Sequence, residues 1–317
     1  MATAGIRFGL SLGGYADDVP GRDALVELAR KAEAVGFDSI QVGDHIQWHA
    51  PILEATVLMA TFAVVTERLR IASSVIILPL RDPVLLAKTV ASLDVLSGGR
   101  MIFGVGVGGD NPLEYAAMRI PLSERGSRAN ESLEIIKGLW AHERFSYAGR
   151  HFAIRDVAIA PRPVQSSIPI WVGGGSEAAL RRAARYGDGW IGAFASPRKF
   201  ARLSDGLRRF LGEAGRSADG FTFGTYLFAN VDDDAARARE TAVRYVERVY
   251  RLDGARIVER FAAVGPVEAC AAEALAYAEA GAGYLVLGPV CDHRDWPRQL
   301  DGYGEVIERV RRQAGGP

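Results

Sequence analysis

The sequence of 317 residues is poor in cysteine and lysine, carries no net charge and has no long apolar run. Its two cysteines, Cys270 and Cys291, are too few for a disulfide framework and lack C-x-x-C spacing. The 38 basic and 38 acidic residues balance and alternate, which argues against nucleic acid as a partner. No uncharged apolar run approaches the roughly 18 residues of a membrane span, and the amino terminus shows no signal peptide. We therefore expect a soluble, cytoplasmic protein that does not bind membranes.

Short apolar runs alternate with amphipathic helix patterns along the chain. Leu25, Leu28 and Ala32 share one helix face, for example, and Gly36 follows as a helix-ending glycine. Eight apolar runs are typical of parallel strands buried on both faces. These runs are Ile6–Leu10, Ser39–Val42, Arg70–Val75, Met101–Val105, Ile170–Val172, Trp190–Gly192, Phe223–Ala229 and Tyr284–Leu287. Eight strand–helix units predict an α/β fold, a closed (β/α)8 TIM barrel, with an open doubly wound sheet as the alternative.

The connection between the fourth and fifth strands is longer than a barrel needs. It runs from Asp110 to Pro169 and contains a helix pattern, Ser123–Trp140, followed by a hairpin-like segment. No linker or low-complexity run marks a domain boundary. We therefore expect one domain over residues 1–317, in which residues 110–169 form an insertion over the mouth of the barrel.

Active sites of such barrels lie at the carboxyl ends of the strands. The second strand is followed by Gly-Asp-His-Ile-Gln-Trp-His, which contains Asp44, His45, Trp48 and His49. Histidine suits proton transfer near neutral pH, and an acid can fix its tautomer. The alternative is a helix-capping aspartate beside a packed histidine. No third ligand accompanies the two histidines and H-E-x-x-H is absent, so we predict no metal site.

Two glycine-rich loops follow the fourth and fifth strands. The first is a weak match to a dinucleotide fingerprint, but Gly108, Gly109 and Asn111 lie beyond the strand, where the backbone can approach a ligand. The second, Gly173-Gly174-Gly175-Ser176, leads directly into a helix, so its free N–H groups favour an anion such as phosphate, with Arg181 and Arg182 one turn later. The alternative is a serine helix cap in a tight turn, with both arginines in solvent.

The sequence resembles the luciferase-like superfamily of flavin-dependent oxidoreductases. The matching stretches span nearly the whole chain in family order: AEAVGFDSIQVGDHIQW, ERLRIASSVIILPLRDPVLLAKTVASLDVLSGGRMIFGVGVGG, RGSRANESLEIIKGLW, APRPVQSSIPIWVGGGSEAALRRAARYGDGW and GAGYLVLGP. The resemblance implies a (β/α)8 barrel with an insertion, a homodimer, and a flavin-type cofactor at the carboxyl ends of the strands. That cofactor is FMN in one branch of the superfamily and the deazaflavin coenzyme F420 in the other.

The resemblance also implies roles for individual residues. Asp44 and His45 match an acid–histidine pair that faces the cofactor ring, and Trp48, with His49 beside it, lies on the substrate side. The implied cofactor-binding residues are Ser74 and Val75, which match a non-prolyl cis peptide behind the ring, the loop residues Gly108, Gly109 and Asn111, and the phosphate loop Gly173, Gly174, Gly175 and Ser176. Gly109-Asp110 stands where some deazaflavin dehydrogenases have a glutamate, which argues against a sugar-phosphate dehydrogenase.

Three functions follow from the resemblance, each with a small-molecule substrate. In the first, a separate flavin reductase supplies reduced FMN, oxygen is used, and His45 assists proton transfer in a monooxygenase reaction. In the second, coenzyme F420 exchanges a hydride with the substrate without oxygen. In the third, the protein binds a flavin without turnover. The sequence leaves the choice of cofactor and the identity of the substrate open.

Overall fold

The computed structural model describes residues 5–314 and contains a closed parallel barrel surrounded by helices. The strands, in chain order, are β1 (Arg7–Leu12), β2 (Ser39–Val42), β3 (Arg70–Ser73), β4 (Ile76–Ile77), β5 (Met101–Gly106), β6 (Phe145–Ala148), β7 (Ala153–Val157), β8 (Ile170–Gly173), β9 (Gly189–Gly192), β10 (Thr222–Val231), β11 (Ala262–Gly265) and β12 (Tyr284–Pro289). Eight of them, β1, β2, β3, β5, β8, β9, β10 and β12, pair in that order. The pairing of β12 with β1 closes the ring, which confirms the predicted barrel and excludes the open sheet.

The helices cover the outside of the barrel. In chain order they are α1 (Arg22–Ala34), α2 (Ala55–Val65), α3 (Pro83–Leu96), α4 (Pro112–Ala117), α5 (Arg125–Ala141), α6 (Glu177–Tyr186), α7 (Pro197–Glu213), α8 (Ala235–Tyr250), α9 (Gly254–Phe261), α10 (Val267–Glu279) and α11 (Trp296–Ala314). Local sequence explains several starts: α3 begins with a proline, and the Asp82 carboxylate accepts hydrogen bonds from the N–H groups of Val84 and Leu85. Among the helices within residues 5–314, none has both the length and the apolar character to cross a membrane.

The third barrel strand is shorter than predicted. It ends at Ser73, the Ser74–Val75 peptide bond is cis, and the chain resumes as the short strand β4 beside β5. The run Arg70–Ile77 mixes β-branched residues with alanine and two serines, and its composition gives no sign of this bulge. The bulge turns the Val75 side chain toward Gly106 and Gly173 of the neighbouring strands.

The seventh barrel strand, β10, is longer than predicted, and an unpredicted strand, β11, pairs with it outside the ring. Two helices, α8 and α9, precede β11. The run Ala262–Gly265 is too short and too rich in small residues for its periodicity to identify a strand.

The connection over residues 110–169 is divided among three places. Its first part, including α4, lies at the mouth, because the Glu114 side chain reaches His45. Helix α5 packs against α3 and α6 in the ring of barrel helices, and the antiparallel pair β6–β7 follows it. The last part passes the amino ends of the strands, where Gln165 bonds to Met101 at the start of β5. Only the first part therefore lies over the mouth.

Side chains fill the lower part of the barrel. Ala72, Ile102, Trp171, Ile191, Tyr284 and Val286 form one buried cluster. Trp171 and Trp190 are buried core residues, and Trp140 is partly buried. Because this layer closes the barrel interior, ligand space remains at the carboxyl ends of the strands.

Candidate active site

A cavity of about 440 Å³ opens at the carboxyl ends of the barrel strands. Most residues that the sequence singled out line this cavity. They are Asp44, His45, Trp48, Ser74, Val75, Gly108, Gly173, Gly174, Gly175 and Ser176. His49, Gly109 and Asn111 lie next to lining residues but outside the lining itself. The predicted loops therefore meet at one site, although several of their side chains make contacts other than those predicted.

The His45 imidazole is held by Glu114 of α4, which sequence reasoning missed. Its Nδ1 lies 2.7 Å from Glu114 Oε1, and the glutamate side chain is only 2% exposed. Burial raises the pKa of Glu114, while hydrogen bonds from His45 and from the Ile46 N–H oppose that rise. When the carboxylate is ionised, Nδ1 carries the proton and donates a hydrogen bond to Glu114, so the lone pair of Nε2 is available in the neutral imidazole.

Asp44 was predicted to fix the tautomer of His45, but its carboxylate binds other groups. Its carboxylate accepts hydrogen bonds from Arg81 at 2.5 and 3.2 Å and from the Ile77 N–H at 3.0 Å. Arg81 also pairs with Glu54 at 2.7 Å. Burial lowers the pKa of Arg81, but the two carboxylates more than offset it and leave the pKa raised. Asp44 therefore anchors the loop after β2, and Glu114 orients the histidine.

Trp48 stacks on the catalytic histidine candidate. The His45 and Trp48 ring centroids lie 3.9 Å apart at an interplanar angle of 22°. His49 is exposed, and its ring centroid lies 4.8 Å from that of Trp48 at an interplanar angle of 43°. A direct substrate role thus fits Trp48 better than His49, which supports the indole from outside the cavity.

The Ser74–Val75 bulge forms an apolar wall beside space cleared by glycines. A Cβ atom on Gly106 would lie 2.5 Å from Val75 Cγ2, and one on Gly173 would lie 3.0 Å from Val75 Cγ1. A Cβ on Gly108 would meet Ile77 at 2.9 Å. Larger residues at these positions would push the wall into the cavity. The glycines therefore keep a smooth apolar surface for a flat ring.

Asn111 joins two loops of the site from behind. Its side-chain oxygen caps α4 by accepting from the Leu113 N–H at 3.2 Å, and its amide nitrogen donates to the Gln47 carbonyl at 2.9 Å. Gly109, with φ at 115°, stands beside Arg125. These two residues therefore position the loop that presents Gly108, a role distinct from the predicted cofactor contact.

The Gly173–Ser176 loop presents unbonded backbone donors at the start of α6. The N–H groups of Gly175 and Ser176 have no hydrogen-bond partner among residues 5–314. The Ser176 hydroxyl caps the helix by accepting from the Ala179 N–H. Arg181 pairs with Glu177 and Glu213 on the surface. Any anion here would thus be held by backbone N–H groups and the helix dipole.

Arg182 does not extend toward this loop either. Its guanidinium donates to the Asn130 side chain at 2.8 Å and to the Gly126 carbonyl at 3.2 Å, so that it ties α6 to α5.

A wall of aromatic side chains that the sequence did not single out completes the cavity. Tyr226 and Phe228 project from β10, and Tyr250 ends α8. The Phe228 and Tyr250 ring centroids are 5.2 Å apart, and Tyr250 also contacts Trp48 at 6.2 Å. Tyr226 and Phe228 occur in an apolar strand run and Tyr250 ends an amphipathic helix, so no local signal separates them from ordinary packing residues.

The family model of the luciferase-like monooxygenases matches residues 6–283. The chain belongs to this family. Its members and structural neighbours are F420- or FMN-dependent oxidoreductases and monooxygenases, and this chain is an enzyme of that kind. The resemblance stated from sequence motifs is thereby confirmed.

Two curated relatives cover much of the chain. An uncharacterised protein of Mycobacterium tuberculosis is 35% identical over 237 residues, which are 66% of this chain and 81% of the relative. An F420-dependent glucose-6-phosphate dehydrogenase of Kineococcus radiotolerans is 32% identical over 233 residues, 70% of this chain and 67% of the relative.

Solved structures share the fold at lower identity. An F420-dependent secondary alcohol dehydrogenase in complex with an F420–acetone adduct superposes with a TM-score of 0.84, at 20% identity over 97% of this chain and 100% of that one. The oxygenating constituent of a Pseudomonas putida diketocamphane monooxygenase, in complex with FMN, gives a TM-score of 0.77 at 19% identity, with 96% and 99% covered.

Proposed function

We propose that this protein is a coenzyme F420-dependent oxidoreductase, which moves a hydride between the deazaflavin and a small organic substrate. The observation that carries the proposal is the hydrogen-bonded pair of His45 and the buried Glu114, placed at a cavity that the Val75 wall and the Gly173–Ser176 loop also line. A sequence relative above 30% identity is named F420-dependent, whereas the FMN-containing neighbour is similar only in fold.

The residues present fit a flavin-type cofactor. The Val75 side chain and the glycines around it leave a surface that a Cβ atom would obstruct, which suits the face of a planar ring. The unbonded N–H groups of Gly175 and Ser176, at the start of a helix, suit a phosphate. When bound, the deazaflavin would supply the chemistry of hydride acceptance or donation.

The protein would hold and move the proton that accompanies this hydride. With Nδ1 bonded to Glu114, His45 has Nε2 available as base for a substrate hydroxyl, or as acid for a carbonyl in the reverse direction. Trp48, stacked on the imidazole, limits its rotation. Arg81 fixes the loop through Asp44, so that the imidazole keeps one position.

A second candidate is a monooxygenase that uses reduced FMN from a separate reductase. The family's description as luciferase-like monooxygenases and the FMN complex among the similar folds favour it. The same Val75 wall would support an isoalloxazine ring, and His45 would serve the proton steps.

Titration of the cofactor-free protein distinguishes these candidates. F420, oxidised FMN and reduced FMN are added separately, and ring fluorescence or absorbance is followed. We expect F420 to bind with a Kd below about 100 μM, which corresponds to about −5.5 kcal/mol, and more tightly than either form of FMN. Tighter binding of reduced FMN, with product formed only in the presence of oxygen, would favour the monooxygenase. Binding without turnover of any tested substrate would favour a non-catalytic flavoprotein.

We also propose that the enzyme is a homodimer through α2 and α3. These adjacent helices are apolar on their outer faces as well as on their buried ones: Val57, Val64 and Leu85 are 64–67% exposed. A large exposed apolar patch on neighbouring helices is typical of an interface between subunits.

A further inference from the structure

The substrate side of the cavity is bounded by a continuous set of aromatic rings. His45, Trp48, Tyr250, Phe228, Tyr226 and Phe194 all line the cavity. Every ring contacts at least one other of the set: Phe228, for example, lies 5.3 Å from Tyr226 and 5.9 Å from Phe194, centroid to centroid. Rings in this arrangement favour an apolar or aromatic ligand over a heavily hydrated one.

The lining offers little to a charged phosphoryl group. Of the residues that line the cavity within the described chain, the ionisable ones are Asp44, His45, Asp110 and the two tyrosines, and none is lysine or arginine. Arg81, which contacts Asp44, is already paired with two carboxylates. The helix-start loop at Gly175 and Ser176 is assigned to the cofactor. A phosphorylated substrate would therefore lose its hydration without gaining a cation.

Two tyrosines of this apolar wall carry hydroxyl groups in different places. The Tyr226 hydroxyl lies against Gly288 of β12, outside the lining, where a Cβ atom would overlap it. The Tyr250 hydroxyl lies beside Gly13 of the lining, since a Cβ atom there would be 3.1 Å from it. Burial raises the pKa of Tyr250, so its hydroxyl keeps its proton near neutral pH. Tyr250 is therefore the phenol placed to donate toward the cavity.

We propose that the substrate is an uncharged alcohol or carbonyl compound with an apolar or aromatic group beside the reacting carbon, and that Tyr250 donates a hydrogen bond to its oxygen. This inference rests on the proposed F420-dependent function and names its substrate class. Trp48 contacts both His45 and Tyr250, so one substrate oxygen near Trp48 has a proton acceptor on one side and a hydrogen-bond donor on the other.

The oxidation of such an alcohol balances with the groups named. When bound, the deazaflavin would supply the acceptor for the hydride, with both electrons, of the broken C–H bond. The O–H proton goes to His45 Nε2, and the carbon–oxygen bond becomes a carbonyl. The reverse reaction returns hydride and proton along the same route, so Tyr250 keeps its proton throughout.

The first experiment measures ligand binding without turnover. Saturation-transfer NMR is recorded on the protein, with and without F420, in the presence of acetophenone or of glucose 6-phosphate. We expect acetophenone to bind in at least one of the two forms, and glucose 6-phosphate in neither. Binding of glucose 6-phosphate but not of acetophenone would overturn the proposal. Acetophenone binding by a protein that fails to bind F420 would refute the F420-dependent function and leave the substrate class standing.

The second experiment tests Tyr250 with a matched control. Tyr250→Phe should lower kcat/KM for 1-phenylethanol by about 3- to 12-fold, the effect of one neutral hydrogen bond, with the Kd of F420 unchanged. Tyr245→Phe removes a nearby hydroxyl of a residue that does not itself line the cavity and that donates to the Gly14 carbonyl, and it should leave kcat/KM within twofold. Equal effects of the two substitutions would overturn the role of Tyr250.

Discussion

The imidazole of His45 and the carboxylate of Glu114 form a hydrogen-bonded pair, with Nδ1 and Oε1 2.7 Å apart. The two residues are 69 positions apart in the sequence and come from the loop after β2 and from helix α4. The histidine side chain is 21% exposed toward the cavity, while the glutamate is buried. This combination orients one ring nitrogen inward and leaves the other for a substrate.

Replacing the imidazole should abolish most of the chemistry without removing the cofactor. We expect His45→Ala to lower kcat by about 10²- to 10⁴-fold, the usual contribution of a positioned acid or base. The Kd of F420 should change little, because the ring and phosphate surfaces are made by other residues. Steady-state rates and a fluorescence titration on the same sample check both points. An unchanged kcat would remove His45 from the mechanism.

Glu114→Gln tests the orienting role, since glutamine keeps the shape but loses the charge. A charge-assisted hydrogen bond contributes about 1.5–3 kcal/mol, so we expect kcat to fall by about 10- to 150-fold. The matched control is Glu124→Gln, which removes a carboxylate that pairs with Arg128 near the start of α5, and which should leave kcat nearly unchanged. Similar losses in the two variants would indicate a general effect on folding.

The raised pKa of Glu114 also predicts a pH dependence of stability. Because burial raises this pKa, the folded protein binds the proton more tightly than the unfolded chain does. The protonated Glu114 side chain therefore contributes to the free energy of unfolding. This contribution is fully present below the pKa of about 4.3 that a glutamate has in the unfolded chain, and it is lost as pH rises through the higher pKa of Glu114 in the folded protein. Urea unfolding of wild type and Glu114→Gln from pH 4 to 7 should therefore show the wild-type advantage shrinking as pH rises. A constant or growing difference would contradict the assignment.

The barrel could be predicted from sequence because its signals are local. Eight short apolar runs and the helix patterns between them are visible in windows of about ten residues. The bulge at Ser74–Val75 was predicted only through resemblance, since a run of serine, valine and isoleucine carries no local sign of it. The strand Ala262–Gly265 was missed for the same reason: its existence depends on pairing with β10.

The site could be predicted only to the level of loops. His45, Trp48 and the Gly173–Ser176 loop follow strands and were found by position alone, whereas Val75 was found only through the family resemblance. Glu114 was missed because the sequence shows it as the fourth residue of the Asn-Pro-Leu-Glu start of a helix, where an acid is expected for capping. Its contact with His45 depends on how α4 folds over the mouth.

Asp44 should matter for stability more than for proton transfer. Asp44→Asn keeps an acceptor for the Ile77 N–H but leaves Arg81 with one carboxylate, Glu54, in place of two. Removing one member of a buried ion pair lowers the free energy of unfolding by about 3–5 kcal/mol. Because Arg81 keeps its pairing with Glu54, we expect a loss at the lower end, about 3 kcal/mol. Urea unfolding near pH 7 measures it. Asp23→Asn, in an exposed pair with Arg22, serves as control and should change the free energy of unfolding little.

The apolar faces of α2 and α3 predict a dimer that charge can dissociate. The wild-type mass in solution should be about twice the chain mass of 34.2 kDa. Val64→Glu or Leu85→Glu would bury a carboxylate in the interface, so we expect monomers at micromolar concentration. Val164→Glu, at a valine of similar exposure outside both helices, should remain dimeric. Sedimentation equilibrium checks this, and a monomeric wild type would refute the interface.

The Gly173–Ser176 loop can be tested by adding charge without straining the backbone. Gly174 has φ at 109°, so a side chain at that position would strain the backbone. Gly175 has no such restriction, and a Cβ atom on it would lie 3.4 Å from Leu203 Cδ1, an ordinary van der Waals distance. Gly175→Asp would set a carboxylate against a bound phosphate, and Gly175→Asn has the same shape without the charge.

If this loop holds the cofactor phosphate, the aspartate variant should bind F420 at least tenfold more weakly than the asparagine variant, a difference of about 1.4 kcal/mol or more. The difference in F420 affinity between the two variants should become smaller as the salt concentration rises from about 0.05 to about 0.5 M, because salt screens the repulsion between partly exposed charges. Fluorescence titration of both variants at each salt concentration measures it. Equal affinities would place the phosphate away from α6, and the backbone donors of Gly175 and Ser176 would then need another ligand.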